Sequence, residues 1–223
     1  VEIAALGGGE QFDGDDLVHV RRDAEQTTRA VRSHGHVVFL VRGRWNGIHA
    51  CRVSALFVLL LAFYGLKILR YPQAVRGEMR HPIRINFFPT VSISLLLLAA
   101  AYLESAPDAA FWLWSAGTVL HLGFTLAIFG SWIHHTHYAI QHANPAWFIP
   151  VVGNIIVPVA GVHLASPELS WFFFSIGLVF WIVLLTIVLY RLFFHEALPA
   201  RLAPTLFILL APPSVGFIAY TLL

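Results

Sequence analysis

Two groups of residues in this sequence are of types and spacings that could do chemistry. The first is a set of imidazoles: His134, His135, His137 and His142, with His121 one span-length earlier. Imidazole is the commonest metal ligand, and on a continuous helix His134 and His137 would share one face. The carboxylates that accompany histidine in hydroxylase-like iron sites are missing, and no second histidine box supports this one. A solvated loop accounts for the cluster, and a His-rich metal-binding protein or membrane metalloenzyme stands as the alternative function. No metal site, cofactor or catalytic residue is assigned.

The second group comes after prolines. Ser92, Asn154 and Ser214 come two to four positions after Pro89, Pro150 and Pro212, and these prolines are 61 and 62 residues apart. Another proline, at Pro82, Pro145 and Pro204, precedes each of them. A proline inside a helix removes one N–H and frees a carbonyl one turn earlier. In a membrane such groups must be buried in protein or line a wet cavity. Hydroxyls, an amide and freed backbone dipoles bind anions weakly, which suits conduction because an ion must also leave. Pro89, Ser92, Pro150, Asn154, Pro212 and Ser214 are therefore the candidate lining of an anion pathway. For any one of them, helix-to-helix packing is the plainer role. Arg76, Arg80 and Arg84 could concentrate anions at its entrance, although basic loops are expected from topology alone.

The elements that would hold these residues are membrane helices. The hydrophobic fraction is 58% and only 12% of residues are charged, about half the usual charged share of a soluble domain. Residues 1–52 hold 14 of the 26 Asp, Glu, Lys and Arg residues, and the other 171 hold 12. Six apolar stretches come next, at 53–69, 85–103, 111–133, 146–164, 170–190 and 203–223. Five of them have the length needed to cross a hydrocarbon core of about 30 Å. The fold class is an all-α integral membrane bundle with a lipid bilayer as its solvent. On these bounds His121 is the clear intramembrane titratable group. Its plainest role is a hydrogen bond to a neighbouring helix, and a proton relay is the sharper one.

Lys67, Arg70, Arg76, Arg80 and Arg84 lie between the first two stretches, and Arg191 and Arg201 between the last two. The loops with Glu104, Asp108 and Glu168 carry no Lys or Arg. By the positive-inside rule the basic loops face the cytoplasm of a multi-pass cell-membrane protein. The net charge of +2 gives no reason to expect a nucleic-acid partner, and the single Cys51 excludes an internal disulfide. Residues 1–52 read as a polar arm, either a soluble tail or a stretch standing where another membrane helix belongs. Both chain ends read as cuts.

The even-numbered stretches carry the internal prolines and the odd ones carry none, which reads as a repeated helical hairpin of one kinked and one straight span. Three segments in that repeat resemble a known family. They are His81-Pro82-Ile83-Arg84-Ile85-Asn86-Phe87-Phe88-Pro89, then Asn144-Pro145-Ala146-Trp147-Phe148-Ile149-Pro150-Val151-Val152-Gly153-Asn154, and the run from Pro204 through Pro212-Pro213-Ser214-Val215-Gly216-Phe217. They are similar to segments of the tellurite-resistance, C4-dicarboxylate/malate transporter and slow-anion-channel family, from about Ala55 onward. The resemblance implies ten helices in five hairpins, with kinked inner helices around a central pore. The six spans here correspond to its second through seventh helices. It implies transport of small anions, inorganic or C4-dicarboxylate such as malate, by a homo-oligomer, a trimer. The family's pore-occluding phenylalanine would fall beyond Leu223, so no gate residue is assigned to Phe88, Phe148 or Phe217.

Overall fold

The computed structural model describes residues 47–134 and 138–223. Six helical stretches are long and apolar enough to cross a membrane: Ala50–Arg70, Arg84–Tyr102, Pro107–His134, Pro145–Leu164, Pro167–Phe194 and Ala200–Leu222. These are spans one to six. They match the apolar stretches of the sequence to within a few residues, and no strand occurs among the described residues. The protein is an all-α, multi-pass integral membrane protein.

Odd and even spans are built differently. Spans one, three and five are single α-helices: α1 (Gly47–Arg70), α4 (Pro107–His134) and α7 (Pro167–Phe194). A short helix outside the spans, α2 (Pro72–Arg80), comes after α1. Span two opens as a 3-10 turn, Arg84–Phe87, and continues as α3 (Thr90–Tyr102). Span four passes from a 3-10 turn at Pro145–Trp147 through α5 (Phe148–Val152) and a second 3-10 turn, Gly153–Ile156, to α6 (Val157–Leu164). Span six is 3-10 helix over Ala200–Leu210 and then α8 (Ala211–Leu222). Pro89, Pro150, Pro158 and Pro212 each sit within a few residues of such a change of winding. A proline has no N–H to give the α-helical ladder, so the ladder must re-form around it.

Several boundaries move outward by a few residues, and two of them bear on arginines. Helix α1 begins at Gly47, so its first residues come from the stretch that reads as a polar arm, and Arg52 stands exposed on the helix. Helix α7 continues to Phe194, four residues past the apolar run. Apolarity marks where lipid begins; hydrogen bonding carries a helix further. Residues 1–46 lie outside the described residues.

Span four is the centre of the bundle: 67% of its core stretch is buried, against 11% for span six and 0% for span one. Phe148, Val151, Val152 and Ile155 pack against Leu184 and Val188 of span five. A second cluster joins Leu96 and Ala99 of span two, Trp114 of span three, Val157 and Ala160 of span four and Phe173 of span five. Small residues let the backbones approach. A Cβ at Gly177 would stand 2.5 Å from Ile155 Cγ1 and 2.8 Å from the Ile155 backbone nitrogen, so only glycine fits there. Outward-facing Val58, Phe63, Val119, Leu126, Val179 and Phe217 are exposed. Such a surface suits lipid, which unlike water carries no penalty for apolar contact.

Candidate functional site

A proline in a helix leaves the carbonyl four residues earlier without its usual donor. The winding change repairs this at each break. Ile85 O, four before Pro89, accepts from the Phe88 N–H. Ala146 O, four before Pro150, accepts from the Phe148 N–H. Ile208 O, four before Pro212, accepts from the Ala211 N–H. The same holds at Pro158, where Asn154 O accepts from the Val157 N–H. At Pro89, Pro158 and Pro212 the repair is a three-residue turn, which is what 3-10 winding supplies, and at Pro150 the Phe148 N–H is shared between Ala146 O and Pro145 O.

The polar residues after the prolines reach back to the same backbone. The Ser92 hydroxyl donates to Pro89 O at 2.7 Å and lies 2.9 Å from His121 Nδ1. With that hydrogen directed at Pro89, Nδ1 carries the ring proton and donates to Ser92 Oγ. Nε2 is then bare, and it is buried without a partner among the described residues. One turn along span three, Thr125 Oγ1 lies 2.6 Å from Pro150 O and accepts from Asn154 Nδ2 at 3.0 Å. The Asn154 amide also donates to Val151 O at 2.8 Å, while its Oδ1 has no partner among the described residues. Ser214 donates to Leu210 O at 2.8 Å and is exposed.

The structure thus brings Pro89, Ser92, Pro150 and Asn154 together around His121 and Thr125 of span three. Ser92 and Asn154 are both fully buried. They share no open surface with Ser214 here. Pro212 is buried beside the break in span six. The Ser92 hydroxyl and the Asn154 amide N–H find their partners by turning to span three.

The basic end of the bundle gathers the entrances of the three broken spans. The turn at Pro145–Trp147 packs against both Arg84–Phe87 and Ala200–Leu210. His81 Nδ1 accepts from the backbone N–H groups of Ile83 and Arg84 at 3.2 and 3.4 Å, capping the first entrance. Asn144 caps the second, its side chain accepting from the Ala146 N–H at 2.9 Å and donating to His142 O at 2.7 Å. Partial desolvation, with the positive charges of Arg84, His142 and Arg201 in range, holds His81 below the ordinary imidazole range. His81 thus lies within electrostatic range of basic side chains from all three loops. Of the arginines expected at an entrance, Arg84 belongs to this group. Arg76 and Arg80 are exposed on α2. Glu78, a carboxylate within electrostatic range of Arg84, is occupied by Lys67 at 2.7 Å, which holds it below the usual carboxylate range. His142 and Arg201 were not legible as partners of Arg84. The signal was their position, each three residues before Pro145 and Pro204, as His81 stands directly before Pro82.

Among the described residues the histidines do not assemble a metal centre. No group of three His, Cys, Asp or Glu side chains with metal-binding geometry occurs among the described residues. His121 is bound to Ser92, His134 Nδ1 donates to Gly130 O at 2.8 Å, and His142 Nδ1 accepts from the Ala139 N–H at 3.1 Å. His135 and His137 lie outside the described residues.

Six membrane helices, with proline breaks confined to alternate spans and basic residues at the entrances of the broken ones, define a polytopic membrane protein. The family model described as voltage-dependent anion channel matches residues 48–223, and the chain belongs to that family. The match begins seven residues before the likeness read from Ala55. The chain is 30% identical over 179 residues to an uncharacterized transporter of Methanocaldococcus jannaschii, across 74% of this chain and 52% of that protein. It is 35% identical over 168 residues to the S-type anion channel SLAH3 of Arabidopsis thaliana, across 74% of this chain and 26% of that one. It is 27% identical over 169 residues to the tellurite resistance protein TehA homolog of Haemophilus influenzae, across 75% and 51%. The chain spans about half the length, or less, of these relatives.

Proposed function

We propose that the protein carries small anions across the membrane along the proline-broken spans, entering at the basic end. The observation that carries this reading is the packing of the Pro145–Trp147 turn against Arg84–Phe87 and Ala200–Leu210, which brings the entrances bearing His81, Arg84, His142 and Arg201 to one end of the bundle, with the Glu78 carboxylate already engaged by Lys67. Such a mouth raises local anion concentration without a buried charge to trap the ion. The basic end is the cytoplasmic one. The breaks at Pro89, Pro150 and Pro212 form the wall of the pathway, and Ser214 offers a hydroxyl to it. Ser92 and Asn154 support that wall from behind through span three and come to line it only if spans two and four turn. Inorganic anions are the favoured cargo over C4-dicarboxylates, since the relatives named as channels are anion channels. Copies assemble as an oligomer, three by family resemblance.

The test is anion flux from proteoliposomes containing the full-length protein. Nitrate or chloride efflux should fall several-fold when Arg84 and Arg201 are both replaced by glutamine, with the loss largest at low ionic strength. Flux indifferent to both arginines would overturn the entrance, and no anion flux from a folded protein would overturn the function.

A further inference from the structure

Arg191 stands apart from the other basic residues. Its place after the fifth apolar stretch assigns it to a loop, yet α7 carries it inside the span, and only 4% of it is exposed. Its guanidinium Nε and Nη1 are buried with no hydrogen-bond partner, and no ion pair engages it among the described residues. A guanidinium stays charged at any pH a protein meets. Burying it unpaired is among the costliest arrangements a fold can contain.

The surroundings offer donors rather than acceptors. Ile187, Val188 and Leu192, which flank Arg191 on α7, belong to one apolar core with Phe148, Trp132 and Trp147. The last two stack at 4.8 Å, and neither indole N–H has an acceptor among the described residues. Span three ends and span four begins at these tryptophans, so they mark the same end of the bundle as Arg191. A region with a fixed positive charge, unpartnered N–H groups and no carboxylate paired with them among the described residues calls for an anion.

We propose that Arg191 holds a small inorganic anion of about chloride size as a structural counter-ion inside the basic end of the bundle. Nε and Nη1 are already covered by the described chain, which favours a small ion over a lipid headgroup. The site is separate from the entrance formed by His81, Arg84, His142 and Arg201, and does not depend on the protein transporting what it binds.

The experiment is thermal unfolding of the full-length protein in detergent, with chloride or bromide replaced by gluconate at constant ionic strength. Chloride and bromide should each raise Tm saturably, by about 2–4 °C, and gluconate should not. Arg191→Met should abolish the dependence, while the double replacement of Arg84 and Arg201 by glutamine should keep it. Crystals grown in bromide give a reading that needs no variant: an anomalous peak within hydrogen-bond distance of the Arg191 guanidinium is expected. Water alone there, a carboxylate or lipid phosphate there, or a Tm indifferent to the anion would each overturn the proposal. Because binding is read without flux, its failure is distinct from failure of the transport reading.

Discussion

Gly153 lies so close to His121 that a Cβ on it would stand 2.7 Å from both Cε1 and Nε2 of the imidazole. The break in span four therefore touches the one fully buried histidine of span three, and that same ring meets Ser92 of span two on its other side. Three helices are fixed at one point.

Gly153→Ala should act through that point. The ring is fully buried and cannot swing aside without leaving Ser92, so the added methyl forces the helices apart. The expected cost is about 1–3 kcal/mol, the usual range for overpacking a core. His121→Ala in the same background should recover part of the loss, because it removes the clashing atoms. Thermal unfolding of the two single variants and the double variant measures this. Additive losses would show that the two residues do not meet.

Thr125 is the corresponding post one turn away. Replacing it by valine keeps the shape but removes the side-chain donor to Pro150 O and one of the two acceptors of Asn154 Nδ2. Leaving buried partners unpaired costs about 1–3 kcal/mol, and Thr125→Ser should retain most of the wild-type stability. A Thr125→Val protein as stable as wild type would place the Pro150 carbonyl in contact with water.

His81 gives a pH dependence whose sign can be worked out. Its folded pKa is depressed, so on acidification an unfolded chain takes up the proton first, near the ordinary 6.5, and the native state only below that. The native state therefore loses stability as pH falls from 6.5 through the folded value, and is unaffected by this group above it. Protonation also turns Nδ1 from acceptor to donor, which removes the cap on the Ile83 and Arg84 N–H groups. His81→Asn should reduce the slope of Tm against pH below 6.5, while keeping an acceptor for the cap. An unchanged slope would assign the acid sensitivity to another group.

Much of this arrangement was legible in the sequence, and the reason differs by residue. Pro89, Pro150 and Pro212 announced the broken spans because a missing N–H acts locally, whatever surrounds it. The spans themselves were legible because lipid selects for uninterrupted apolar length. That His121 bonds a neighbouring helix could be read from its isolation among apolar residues, but its choice of Ser92 could not. That choice depends on how span two is rotated, which is set by packing of Leu96 and Ala99 against Trp114. The same rotation separates Ser92 and Asn154, both buried, from the exposed Ser214, although all three occupy like positions after a proline. Arg191 is misplaced by sequence alone because a charge ends an apolar run, whereas the helix and its burial continue past it.

The 3-10 winding at the start of span six is long for its type, eleven residues over Ala200–Leu210. At about 2.0 Å of rise per residue it covers roughly 22 Å, where an α-helix of the same residues would cover about 16 Å. The stretch thus works as a spacer. It sets Arg201 about 5 Å further from the Pro212 break than ordinary helix would. The cost of that reach is poorer hydrogen-bond geometry along a segment with no fully buried side chain. Of the three entrances, this one has the least holding its height, and a single turn rewound as α-helix would draw its charge toward the bilayer.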